Sequence, residues 1–172
     1  MLNKIKKAYY FLVSIFPWFQ NVYEKPFTNE SMRDIVGFTC GSFDLLHAGH
    51  ALMLKECKDH CDYLIVGLQR DPNLDRPDKN KPIQSYEERN IMLSSIKWVD
   101  QIVFYETEDD LYEILCRQDI NIRIIGADWK NKKYTGWELK LPVVFNTRDH
   151  GYSTSSLRER VYETEKEKKG TT

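Results

Sequence analysis

From Ile35 onward the chain alternates between two hydrophobic rhythms. "IVGFTC" is a short β-rich run that ends at Gly41, and "DYLIVGL", "QIVFY", "IRIIG" and "PVVFN" are runs of the same kind. "DYLIVGL" is almost continuously apolar, as a strand covered on both faces should be. Between them lie segments of helical period. "HALMLKECKDH", from His50 to His60, spaces Leu54, Cys57 and Cys61 on one face. Ser85 followed by Glu88 is a capping-box pattern that starts another helix. "DDLYEILCRQ" and "SSLRERVYETEKE" complete the set. Strand and helix in alternation imply parallel strands joined by crossovers, so the pattern predicts an α/β fold with a doubly wound parallel sheet.

The first 34 residues follow a different pattern. Lys4, Lys6 and Lys7 precede an apolar run from Ala8 to Phe19, interrupted at Pro17. The run is far shorter than the roughly 20 residues of a membrane-spanning helix. It resembles a secretory signal in its charged and apolar parts but has no clear small-residue cleavage site. Three readings follow: a helix packed on the domain or on a partner subunit, a peripheral membrane contact through residues 4–19, or a cleaved signal. The division expected is an N-terminal segment and linker at 1–34, a main domain at 35–163 and a charged tail at 164–172, which is expected to fray.

Composition narrows the chemistry. The net charge is −1, so no global basic field draws in nucleic acid, and phosphate binding must be local. The four cysteines, Cys40, Cys57, Cys61 and Cys116, show no disulfide-scaffold spacing, which fits a reduced, cytoplasmic protein. Cys57, His60 and Cys61 bear a faint likeness to a metal set, but Cys57 and Cys61 fall on the core face of a helix.

In doubly wound sheets, ligands bind beyond the carboxyl ends of the strands, near the switch in strand order. Four polar segments follow strands here: "GSFDLLHAGH", the Lys-rich loop "QRDPNLDRPDKNKPIQ", "GADWK" and "NTRDHGYSTSS". Together they offer glycines, His47, His50, Lys79, Lys81, Arg148 and the hydroxyls from Ser153 to Ser156, a content that suits a polyphosphate. Neither G-x-G-x-x-G nor G-x-x-x-x-G-K-[ST] is present. His47 and His50 stand three apart at a helix start, on one face. Two imidazoles at a helix N-terminus can donate to a phosphoryl oxygen and stabilise charge as it develops. Gly49 between them leaves room for close backbone approach. The plainer alternative is that one histidine caps the helix and the other packs.

"GSFDLLHAGH" resembles the G-x-F-D-x-x-H-x-G-H signature of the cytidylyltransferases in the nucleotidyltransferase superfamily, and is most similar to that of glycerol-3-phosphate cytidylyltransferases. "TRDHGYSTSS" resembles the family's R-T-x-G-x-S-T run, and "SYEERNIMLSSIKWVD" resembles its helix ending in R-Y-V-D, with Lys97 where arginine is usual. The likeness covers about residues 35 to 163. It implies a Rossmann-like H-x-G-H nucleotidyltransferase topology and a homodimer. It also implies a CTP- and Mg²⁺-dependent transfer of CMP to a small phosphomonoester with loss of pyrophosphate, and no partner nucleic acid.

By the same likeness His47 and His50 contact the triphosphate and stabilise the reacting phosphoryl group. Ser42, Phe43 and Gly49 lie along the nucleotide-binding turn, which Asp44 helps to order. Ser153, Thr154 and Ser155 hold the β- and γ-phosphates, and Arg148 binds phosphate. Asp128 lies where the family recognises the base. Lys79 and Lys81 are candidates for the acceptor phosphate, with Lys81 in a catalytic role. No protein metal ligand is implied. "GADWKNKKYTGWEL" carries a "YTG" turn that also resembles sugar-phosphate adenylyltransferases. Two alternatives therefore stand: an adenylyltransferase of the same fold, and a non-catalytic nucleotide-binding or membrane-associated module.

Overall fold

The computed structural model describes residues 34–170. The expectations for the N-terminal segment, its contact through residues 4–19 included, lie outside the described residues. Five strands form one sheet in the order β3-β2-β1-β4-β5. They are β1 (Val36–Gly41), β2 (Tyr63–Gln69), β3 (Gln101–Tyr105), β4 (Ile122–Ile125) and β5 (Val143–Phe145). Every pairing is parallel. Helices α1 (Ala48–Asp59), α2 (Tyr86–Ser94), α3 (Glu108–Arg117) and α4 (Thr154–Gly170) alternate with them.

The near-continuous apolar run of β2 has the expected cause. Leu64, Val66 and Leu68 point into a core layer shared with Leu54 and Cys57 of α1 and Leu93 of α2. Ile65 points the other way, into a layer shared with Leu111 and Leu115 of α3. Both faces of the sheet are therefore covered, and strand residues of either parity are buried. Cys57 and Cys61 belong to the first layer, and burial holds both thiols protonated, that of Cys57 up to about 12.

Chain order reverses direction between β1 and β4, which pair with each other, so the switch point lies at the carboxyl ends of these two strands. Lys97 lies just ahead of β3, at the amino edge of the sheet, with its ammonium 5.1 Å from the ring centre of Trp98. The departure from the family's arginine therefore falls on the edge away from the switch point.

One boundary differs from the sequence pattern. The last helix runs on to Gly170, so residues 164–170 of the expected fraying tail are helical. Glutamate and lysine are good helix formers. Lys168 also meets Glu165 at 2.6 Å, three residues back on the same face.

Candidate active site

The turn after β1 is tightly held. Phe43 and Leu45 both sit at φ of 49°, a left-handed conformation that costs a non-glycine residue on the order of 1 kcal/mol or more. Neighbouring segments hold it there. Asp44 Oδ1 accepts from the backbone N–H groups of Ile83 and Gln84, each at 3.0 Å. The Leu45 N–H donates to Gln84 Oε1 at 2.7 Å. Arg89 Nη1 donates to the carbonyl of Ser42 at 2.8 Å. Phe43 is buried in the core, its ring centre 5.4 Å from that of His50, so it supports the turn from below and does not line it.

Both histidines cap the helix that follows the turn. His47 is the N-cap of α1: its Nδ1 accepts from the Gly49 N–H at 3.0 Å. His50 Nδ1 accepts from the His47 N–H at 3.4 Å, which completes a capping box made of imidazoles. With both Nδ1 atoms accepting, the hydrogen-bond pattern places the protons of the neutral rings on Nε2. The rings stack with centres 4.0 Å apart. Burial lowers the pKa of His50 to about 4, helped by the neighbouring His47. Burial also lowers that of His47, with His150 and Arg148 adding to the effect. The site thus presents two neutral Nε2–H donors near pH 7.

His47 Nε2 lies 3.3 Å from Thr154 Oγ1 at the start of α4, so the two sequence signatures, 107 residues apart, meet. The Thr154 hydroxyl in turn approaches the carbonyl of Asp44 at 3.4 Å. Arg158, one turn further along α4, donates to Asp44 Oδ2 at 2.6 Å and to the Lys81 carbonyl at 3.1 Å. Although burial opposes it, the Gln84 N–H and Arg158 hold the Asp44 carboxyl below its ordinary range. Ser153 Oγ accepts from the Ser156 N–H at 3.1 Å and caps α4.

A cavity of about 920 Å³ opens here, and Gly41, Ser42, Asp44, Lys79, Thr154 and Ser155 are in its wall. Arg158 is there too and was missed in the sequence. The signal available was its spacing, four residues after Thr154 on the same helical face.

Three further candidates have side chains outside the cavity wall, as His47 and His50 do. Lys81 enters the site through its carbonyl, and its exposed side chain is not part of the cavity wall. Arg148 and Asp128, assigned to phosphate and base, form an ion pair with each other outside that wall. The register explains this: Ile125 pairs with Phe145, and each partner lies three residues beyond its strand position.

His150 was also missed. A Cβ on Gly49 would stand 2.9 Å from Cε1 of both His47 and His150, so Gly49 is the space in which the two rings pack. Gly49→Ala is expected to displace the rings by a few tenths of an ångström and lower kcat/KM about tenfold. The melting temperature should hardly move, because side-chain tips and not backbone give way; steady-state kinetics beside a thermal melt checks this.

The depressed histidine pKa values also predict a stability profile. An unfolded histidine titrates near 6.5, so between that pH and about 4 the unfolded chain binds more protons at His50 than the folded one. The stabilisation is complete above pH 6.5 and is lost as pH falls through this window. Urea midpoints measured at pH 7.5 and pH 5 should show the fall, and His50→Gln should reduce it.

Comparison with known proteins gives a consistent picture. The cytidylyltransferase-like family matches residues 38–160. The bifunctional protein HldE of Helicobacter pylori (strain HPAG1) is 37% identical over 138 residues, which are 80% of this chain and 30% of that protein. HldE of Campylobacter curvus is 36% identical over 132 residues, 76% of this chain and 28% of that protein. The chain thus spans about a third of the length of the curated relatives it matches. Among solved structures, a lipopolysaccharide core biosynthesis protein from Thermoplasma volcanium superposes with a TM-score of 0.56 and 27% identity, covering 67% of this chain and 98% of that one.

Proposed function

The chain belongs to the cytidylyltransferase-like family, and from that premise we propose that it transfers the adenylyl group of ATP to a sugar phosphate, releasing pyrophosphate. The single observation that carries nucleotidyl transfer is the meeting of His47 Nε2 with Thr154 Oγ1 at the switch point. It brings the N-terminus of α1, with its two imidazoles, against the N-terminus of α4, whose Thr154 and Ser155 are in the cavity wall, although His47 and His50 are not themselves wall residues. The choice of nucleotide and acceptor rests on the relatives. HldE proteins match most of the domain, and a protein of lipopolysaccharide core synthesis, a sugar-building process, shares its fold. These favour the sugar-phosphate adenylyltransferase alternative over CMP transfer to a glycerol-3-phosphate-like acceptor, which the sequence signature put first.

In this reading an oxygen of the acceptor phosphate attacks the α-phosphorus, and the bond to the bridging oxygen breaks as pyrophosphate leaves with its electrons. The Nε2–H groups of His47 and His50 donate to the phosphoryl oxygens, where negative charge builds up. Being neutral, they act by hydrogen bonding and not as acids, and pyrophosphate is a leaving group that needs no proton. The first N–H groups of α4, with Thr154 and Ser155, take the β- and γ-phosphates, as helix N-termini do for anions. Arg158 adds positive charge beside them, held in place by Asp44.

Among the described residues, no group of three or more His, Cys, Asp or Glu is arranged to hold a metal ion. In this reading Mg²⁺ enters with the nucleotide, bound to its phosphate oxygens. No helix among the described residues is long and apolar enough to cross a membrane.

The test is pyrophosphate release with ATP and with CTP, each against glycerol 3-phosphate and a series of pentose, hexose and heptose phosphates. Turnover with ATP and a sugar phosphate is the expected result. Turnover with CTP and glycerol 3-phosphate alone restores the other assignment.

A further inference from the structure

The phosphate chemistry uses one part of the cavity wall and leaves a second, differently built part unused. Here Arg76, Glu108, Arg123, Tyr134, Thr135 and Trp137 stand together in the wall. Glu108 opens α3 and accepts a hydrogen bond from the Thr135 hydroxyl. Arg76, from the loop after β2, meets Glu108 Oε1 at 3.3 Å, and both side chains are about one-third exposed (31% and 33%). Buried Arg123 of β4 donates to the carbonyl of Thr135, and its guanidinium lies 5.2 Å from the ring centre of Tyr134. The turn then passes through Gly136 at φ of 77°, where a Cβ would stand 2.7 Å from Cδ1 of Leu115. A turn pinned from β4, α3 and its own glycine presents the next residue, Trp137, with 52% of its surface exposed.

We infer that this second part of the wall is the acceptor's polyol subsite: the Glu108–Arg76 pair binds hydroxyls, and the Trp137 indole takes the C–H face of a sugar ring. The inference rests on the sugar-phosphate reading above and names the residues that select for it. A carboxylate beside a guanidinium offers an acceptor and a donor to neighbouring hydroxyls, and the indole, with the Lys133 ammonium 5.1 Å from its ring centre over one face, offers its other face to a sugar. With its charge met by Arg76, the Glu108 carboxylate is left as a hydroxyl acceptor, so the acceptor substrate places its hydroxyl end here and its phosphate toward Thr154 and Ser155. The cavity, at about 920 Å³, is near the upper end for small-molecule sites, with room for a nucleotide and a second ligand. This also gives the "YTG" turn of the sequence a purpose: it docks on α3 and sets Trp137 in the wall.

The experiment compares the full chain with its Glu108→Gln, Trp137→Ala and Trp137→Phe variants, using ATP and the sugar phosphate the native protein turns over fastest. Glu108→Gln and Trp137→Ala should each raise KM for the sugar phosphate about tenfold or more, leave KM for ATP within about twofold, and change kcat little. Trp137→Phe should restore most of the loss. Trp137 is half exposed, so its variants test the subsite even if Glu108→Gln folds poorly. Unchanged sugar-phosphate KM in the Trp137 and Glu108 variants overturns the inference alone, as does an equal rise in both KM values. No turnover with any sugar phosphate overturns the proposed function, and this inference with it.

Discussion

His50→Ala should lower kcat/KM by at least about 100-fold, the scale on which loss of one preorganised transition-state donor is felt. The reason lies in how the ring is held. Its Nδ1 is committed to the His47 N–H, and it stacks on His47 at 4.0 Å, so the direction of Nε2 is fixed before any ligand arrives. A donor aimed in advance costs nothing to reorganise when charge develops. Alanine removes the donor and one half of the capping box, so a modest loss of stability accompanies the kinetic one. His50→Gln separates the two effects, since an amide N–H can return a donor to the pocket. Partial recovery of kcat with glutamine marks hydrogen bonding as the role of His50. Equal losses in both variants, with equal unfolding, would mark it as packing.

Arg89→Met carries the largest expected effect on stability, about 3 kcal/mol, or roughly 6–12 °C in melting temperature for a chain of this size. Arg89 is only 2% exposed. Its guanidinium donates to the carbonyls of Ser42 at 2.8 Å, Gln69 at 2.7 Å, Arg70 at 2.6 Å and Gln84 at 3.3 Å. It thereby ties the turn after β1, the end of β2 and the entry to α2 to one another. Burial lowers its pKa, against the pull of Asp44 and other acids nearby. Methionine fills similar space but leaves those carbonyls without a donor, and an unsatisfied buried acceptor costs about 1–3 kcal/mol. The same turn holds Phe43 and Leu45 in left-handed geometry, so the variant should lose activity at temperatures where it is still folded. Thermal melts and steady-state rates on the same preparation check both parts.

The strands, the helices and the parallel order follow from the hydrophobic rhythm, because a sheet covered on both faces leaves that rhythm no second solution. β2 shows it most plainly: residues of both parities are apolar, and both are buried. The H-x-G-H and S-T-S segments were legible as a pair because each carries its chemistry in consecutive residues. Arg158 and Arg89 were not. Each acts through contacts to segments distant in sequence, Asp44 and Ser42 among them, and nothing near them in the chain announces that. Lys81, Arg148 and Asp128 carried the opposite kind of signal, local charge with no partner in view. As charges in polar loops they fitted a phosphate or base contact, but the β4–β5 register turns Arg148 and Asp128 toward each other. His47 shows what a one-dimensional reading leaves open. Capping and donating were set as rivals, and the imidazole has a separate nitrogen for each.

The most direct measurement is a histidine side-chain ¹H–¹⁵N correlation at pH 7, recorded as MgATP is added to the full chain. His47 and His50 should both appear as neutral rings with the proton on Nε2, and both Nε2–H signals should shift as the nucleotide saturates, together with the amides of Thr154 and Ser155. Rings that are protonated, or carry the proton on Nδ1, or stay unmoved under saturating ATP and CTP alike, would contradict a triphosphate seated between the two signatures.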